Sequence, residues 1–113
     1  DKWMEYIEEM ASETEDEERI EALYTDLSYL AEHPFELNTV TEEQLKHLPF
    51  LSDMQIRKLL EYRSRYGKML TLYELKNVES FDFETISLLI PFVYIGEIIV
   101  DPYYCQEPVE TGF

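Results

Sequence analysis

A chain of 113 residues suffices for one domain with a modest core. An apolar share of 45% is ordinary for a globular protein and excludes wholesale disorder. A net charge of −16 disfavours nucleic acid, itself a polyanion, as the partner of the whole chain.

The charge is uneven. Between Thr41 and Ile95 eight acids face seven bases, so that stretch is close to neutral, and the other acids lie in the first forty residues and the tail. The single cysteine, Cys105, excludes an internal disulfide and a thiolate metal site. No run approaches the roughly 20 apolar residues of a membrane helix, so no membrane-spanning segment is expected. No signal peptide is present; the start at Asp1, without an initiator Met, and the stop at Phe113 in mid-composition read as a piece of a longer protein, either cut arbitrarily or beginning at a mature terminus after signal removal. The expected location, exported, periplasmic or in the cell envelope, goes with the second alternative.

Trp3, Ile7 and Met10 recur at helical spacing and predict a short amphipathic helix. Ser12 to Glu18 is a charge run, either a solvated break or the acid-rich first turn of the next helix. Ile20, Leu23, Tyr24, Leu27 and Leu30 then trace the apolar stripe of a second helix, which must end before Pro34. These two helices either cover the core of the region C-terminal to them or present a face to a partner.

After the connector His33–Leu37, Thr41 and Gln44 have the spacing of a capping box, opening a short helix to about His47. Pro49-Phe50-Leu51 is a turn. Ser52 and Gln55 form a second capping box, ahead of a longer helix with Ile56, Leu59 and Leu60 on its apolar face. Gly67 stands where a helix C-terminal glycine belongs. Thr71 and Glu74 suggest a third box and a short helix to about Asn77. Asp82 can cap a last helix carrying Ile86, Leu89 and Ile90 and stopped at Pro91. Phe92–Ile95 and Ile98–Val100 are compatible with short strands or an extended cover strip. Asp101–Phe113 reads as a linker.

Residues 41–60 repeat as 71–90 at a shift of 30 with no gap. Leu45 meets Leu75, Leu48 meets Val78, Leu51 meets Phe81, Ile56 meets Ile86, Leu59 meets Leu89 and Leu60 meets Ile90. One helix–turn–helix unit is used twice, each copy helping to bury the other's apolar face.

The repeat resembles a tandem helix-hairpin-helix unit, most of all that of ComEA-type competence DNA receptors and related exported bacterial proteins of unknown role. The resemblance rests on the lead-in Leu37-Asn38-Thr39, on Leu48-Pro49, on Glu61-Tyr62-Arg63 and on Leu89-Ile90-Pro91-Phe92-Val93. It implies an all-α, SAM-like fold of five or so short helices over residues 37–95. A helical segment, 1–36, would pack on that core, and 96–113 would be an extended tail.

The family binds DNA through Gly-hydrophobic-Gly turns, whose backbone comes close to phosphate at a helix start. The glycine positions fall on Phe50 and Ser52 in the first turn and on Ser80 and Asp82 in the second. The plugs Leu51 and Phe81 remain. The resemblance therefore implies a kept scaffold whose phosphate-binding turns are lost, an interaction or scaffolding module for a protein partner or the remainder of a longer chain. Asp53, Asp82 and Glu84 add carboxylates where a phosphate would sit.

The competing reading is weak, sequence-independent DNA binding by the hairpins and the basic helix 55–68, through Ser52, Arg57, Lys58, Arg63, Arg65, Lys68 and Ser80. Against it, Arg57 with Glu61 and Glu61 with Arg65 have the spacing of solvated ion pairs. Phe50 is disfavoured at positive φ. It either turns outward with Leu51 as a protein-docking knob or folds back on Trp3 or the second helix. His33 and His47 have no acidic partners at metal-ligand spacing, and no pair of polar groups suggests a catalytic acid and base. Neither a metal, a cofactor nor an enzymatic role is expected.

Overall fold

The structure, a computed structural model, describes residues 2–96. It is mostly helical. Helix α1 spans Lys2–Glu13 and α2 spans Glu17–Glu32. The charge run between them serves both expected purposes. The helix breaks at residues 14–16, and the Asp16 carboxylate accepts from the Arg19 amide at 3.1 Å, with Glu17 and Glu18 in the first turn.

Strand β1, Phe35–Glu36, pairs in parallel with β2, Val93–Tyr94, with Phe35 opposite Val93. The strand at Val93–Tyr94 is one of the two forms compatible with the sequence; its partner in the connector is not marked there. Between the strands lie α3, Glu42–Leu45, and α4, Asp53–Tyr66, then a 3₁₀ helix, Leu72–Asn77. Helix α5, Phe83–Leu89, and a 3₁₀ turn, Ile90–Phe92, complete the core. Ile98–Val100 and Cys105 lie outside the described residues.

Both capping boxes before α3 and α4 form. Thr41 and Gln44 bond reciprocally at 3.0 and 3.1 Å, and Ser52 and Gln55 at 2.9 and 3.1 Å. Helix α3 stops at Leu45, two residues earlier than expected. The third box does not form: Thr71 caps nothing. Glu74 is engaged elsewhere, accepting from the Leu70 amide at 2.6 Å and the Tyr62 hydroxyl at 3.0 Å. Gly67 ends α4 at φ 82°. Helix α5 ends one residue before Ile90, because Pro91 cannot continue the i→i−4 ladder.

The repeat organises the core. Leu45 and Leu75, Leu48 and Val78, Leu51 and Phe81, Leu59 and Leu89 are all buried. Each such side chain contributes about 1.5–3 kcal/mol on leaving water. The last pair departs from the expectation: Leu60 is half-buried and Ile90 exposed, so agreement between the copies there does not mark the core.

The copies also touch through equivalent residues. Gln55 donates to the Thr85 hydroxyl at 3.2 Å, and Gln55 and Thr85 are one repeat apart. Helices α1 and α2 close one side. Trp3 is buried, its ring 5.9 Å from those of Tyr24 and Phe92, and Ile7 and Leu27 join the same apolar cluster.

The lead-in is pinned by polar contacts. Asn38 donates to the Met69 carbonyl at 3.0 Å and accepts from the Met69 amide at 2.7 Å. The Glu36 carboxylate accepts from the amides of Asn38 and Gly96, at 3.0 and 3.2 Å.

Candidate functional site

The two hairpin turns are built alike. The Leu51 amide donates to the Leu48 carbonyl, and the Phe81 amide to the Val78 carbonyl, each at 3.2 Å. Leu51 and Phe81 are both buried and plug the helices together. The turns part company at the equivalent positions Phe50 and Ser80. Ser80 holds a positive φ of 78°, the conformation a glycine favours, whereas Phe50 does not. Phe50 therefore needs no strained backbone.

Phe50 turns inward. Its ring lies 6.0 Å from Tyr6, edge-on, and 5.7 Å from Phe92. It packs on Tyr6 of α1 and Phe92 of the 3₁₀ turn, against the core cluster that also holds Trp3 and Leu27. With Leu51 also buried, this turn offers no outward apolar knob.

The helix starts behind the turns are partly occupied. Ser52 takes the Gln55 amide of α4, and the Asp82 carboxylate takes the Thr85 amide of α5 at 2.8 Å. That backbone bond, together with one to the Thr85 hydroxyl, holds the Asp82 carboxyl below the ordinary carboxylate range, so it is anionic at neutral pH. The Gln55 amide group also donates to the Ser80 carbonyl at 3.0 Å.

The basic residues of 55–68 do not form one track. Arg57, Arg65 and Lys68 are exposed. Arg63 points into the fold and donates to the carbonyls of Leu37 and Val40 at 3.1 and 2.8 Å. Lys58 lies 3.7 Å from Glu61 and 3.5 Å from Glu79, beside the second turn. The pairs expected at Arg57–Glu61 and Glu61–Arg65 do not close to 4 Å, since Glu61 turns to Lys58. Arg65 stacks 5.6 Å from the Tyr66 ring instead. His33 stacks on Tyr29 at 4.2 Å, and His47 is exposed. Among the described residues no three His, Cys, Asp or Glu side chains gather as metal ligands.

Each repeat carries an open groove between its first and second helix, and the two grooves are equivalent. One is bordered by Glu42, Lys46, Asp53 and Leu60, the other by Leu72, Lys76, Phe83 and Ile90. The first is charged. The second is apolar and of about 540 Å³, within the size range of ligand-holding clefts. Tyr73 and Phe83 on its rim are 80% and 81% exposed. The repeat was legible in the sequence, but this divergence between its copies is a feature that attention to shared positions alone passes over.

No helix among the described residues is long and apolar enough to cross a membrane. No curated protein and no solved structure matches the chain. The family model of the helix-hairpin-helix motif matches residues 31–94, more than half of the sequence and the whole of the paired-hairpin core. The chain belongs to the helix-hairpin-helix family.

Proposed function

We propose that this domain is a non-catalytic interaction or scaffolding module whose hairpins no longer serve phosphate. Its partner is another protein or the remainder of a longer chain. One observation carries the reading. At the second turn the Asp82 carboxylate holds the helix-start amide of Thr85, putting a fixed negative charge where a phosphate would approach. Like charges repel, so the carboxylate opposes a phosphate's approach instead of holding it. The engagement of Arg63 with backbone carbonyls supports the same reading, since it removes a cation from the surface.

Weak, sequence-independent DNA binding is the reading to be tested against it, carried by exposed Arg57, Arg65 and Lys68 with Ser52 and Ser80 at the turns. Labelled duplex DNA is titrated with the protein at low salt and followed by fluorescence anisotropy. The expected result is no salt-sensitive binding in the micromolar range. Micromolar binding that weakens steeply with salt and is lost in Arg57→Gln/Lys68→Gln would overturn the proposal. Arg63 is left intact there because its loss would disturb the fold. The resemblance to exported bacterial proteins supports work in the cell envelope as part of this proposal; recovery of the native protein only from the cytosolic fraction would refute that part.

A further inference from the structure

The two equivalent grooves differ in a consistent direction. Glu42, Glu43 and Asp53 of the first repeat are replaced by Leu72, Tyr73 and Phe83 in the second. Ile56 is buried, whereas its counterpart Ile86 is half-buried and borders the second groove. The fold does not require apolar residues there, because the first copy builds the same element pair with acids. Stability does not favour them either. An acid at the first residue of a helix suits the macrodipole, as Asp53 does for α4 and Phe83 cannot for α5. An apolar cleft rimmed by two exposed aromatics is the usual mark of a docking surface.

One polar feature is common to both copies. Lys46 and Lys76 are equivalent, and each borders its own groove. In the first, Lys46 lies 3.5 Å from Glu42, four residues before it. In the second that position is Leu72, and Lys76 is the only charged side chain bordering the groove. The acids nearest to Lys76 in sequence are engaged elsewhere. Glu74 accepts from Tyr62 and from the Leu70 amide, and Glu79 lies 3.5 Å from Lys58. Asp82 caps α5, and Glu84 borders a separate cleft with Lys2. No carboxylate comes within 4 Å of Lys76 among the described residues. The second groove thus sets a cation against an apolar wall, which is complementary to apolar groups carrying a negative charge beside them.

Dimensions narrow the occupant further. The walls are a 3₁₀ helix of 6 residues and α5 of 7, the latter about 10 Å long at 1.5 Å per residue. That length holds about three extended residues or two turns of a helix. A stable dimer buries roughly 800 Å² on each partner, more than so short a groove supplies. Two copies, each of charge −16, also repel. Small-molecule sites enclose most of their ligand, whereas Tyr73 and Phe83 stand on an open rim. A short segment of another protein meets all of these conditions.

We propose that the groove between the 3₁₀ helix Leu72–Asn77 and α5 docks a short segment of a partner protein in which bulky apolar side chains adjoin an Asp or Glu. The apolar side chains seat against Leu72, Phe83 and Ile86, and the carboxylate meets Lys76. This gives the interaction module its docking surface and its partner's chemistry, and it rests on that assignment.

A phage-displayed library of random dodecapeptides, panned on the full chain, is the probe. The enriched peptides are expected to share bulky apolar residues next to an Asp or Glu. A synthetic peptide of the enriched sequence, added to ¹⁵N-labelled protein, should shift the amide signals of Leu72, Tyr73, Lys76, Phe83 and Ile86. Phe83→Asp copies Asp53 of the first repeat, so it should leave the melting temperature in place while weakening binding about 30-fold or more, the loss of an aromatic anchor. Lys76→Glu should weaken binding about three- to tenfold, and changing the peptide's acid to Lys should recover it. No enrichment, enriched peptides with bases in place of acids, a charge swap without effect, or binding that Phe83→Asp leaves unchanged would overturn the proposal. So would groove signals that move with protein concentration alone, since the occupant would then be a second copy. Salt-sensitive DNA binding lost in Arg57→Gln/Lys68→Gln would overturn the interaction module itself; a groove that takes no peptide, in a protein that ignores DNA, overturns the docking site alone.

Discussion

Arg63 separates a structural cation from a nucleic-acid contact by a single substitution. Its guanidinium bonds the carbonyls of Leu37 and Val40, residues that are themselves buried. A hydrogen bond to a charged group contributes about 1.5–3 kcal/mol net, and a buried acceptor left without a partner costs about 1–3 kcal/mol. Arg63 is half-buried, so water reaches part of the site and the sum is discounted. Arg63→Met, which keeps the apolar stem, should cost about 2–3 kcal/mol. For a domain of this size that lowers Tm by roughly 10 °C or more. Urea unfolding followed by circular dichroism reads the change, with Arg57→Met as the control expected to stay within about 0.5 kcal/mol. Equal midpoints for the two variants would refute the assignment and return Arg63 to the pool of surface cations.

Ser80→Gly should stabilise the domain by up to about 1 kcal/mol, because a serine at φ 78° bears a left-handed penalty that glycine escapes, less glycine's entropy loss on folding; a fall in Tm would contradict the turn geometry. Gly67→Ala should destabilise by about 1–2 kcal/mol even though a Cβ there meets nothing within 4 Å, since the cost is conformational, at φ 82°; thermal melts decide it. Asn38→Asp keeps the acceptor for the Met69 amide but sets a carboxylate against the Met69 carbonyl, and should cost about 2 kcal/mol, with faster hydrogen exchange at Met69. The Asp82 carboxyl is depressed in the folded state, so its contribution is present above the unfolded carboxylate pKa of about 3.9 and is lost as pH falls through its lower folded value. Asp82→Asn should therefore flatten part of the acid limb of a stability-against-pH curve, and an unchanged limb would exclude this role.

Much of the fold was legible because its signals are local. The Thr41–Gln44 and Ser52–Gln55 boxes use partners three residues apart, and both form as the spacing implies. Thr71–Glu74 has the same spacing and fails, because Glu74 is drawn to Tyr62, a partner twelve residues away that spacing does not reveal. Arg63 was misplaced for the same reason. A cation's charge can be read from the sequence, but the direction of its side chain cannot, and its acceptors lie more than twenty residues back. Phe50 shows a different limit. Its aversion to positive φ was legible, and of the two directions open to it the structure takes the inward one, onto Tyr6 and Phe92. Which residues receive the ring is set by tertiary packing, and the left-handed residue occurs only in the second turn. Leu60 and Ile90 match across the repeat without entering the core, so identity of pattern is not identity of environment.

The parallel pairing of Phe35–Glu36 with Val93–Tyr94 has a mechanical consequence. Because the strands run the same way, the polypeptide enters and leaves the paired-hairpin core heading in one direction, like a string through a bead rather than a thread looped back on itself. Tension along such a string loads the bonds between the strands in shear, all at once, instead of peeling them one by one. The Glu36 carboxylate, tying Asn38 to Gly96, lies across that same seam and would share the load. Joined between other segments, the core is an in-line link that resists being drawn out from its ends.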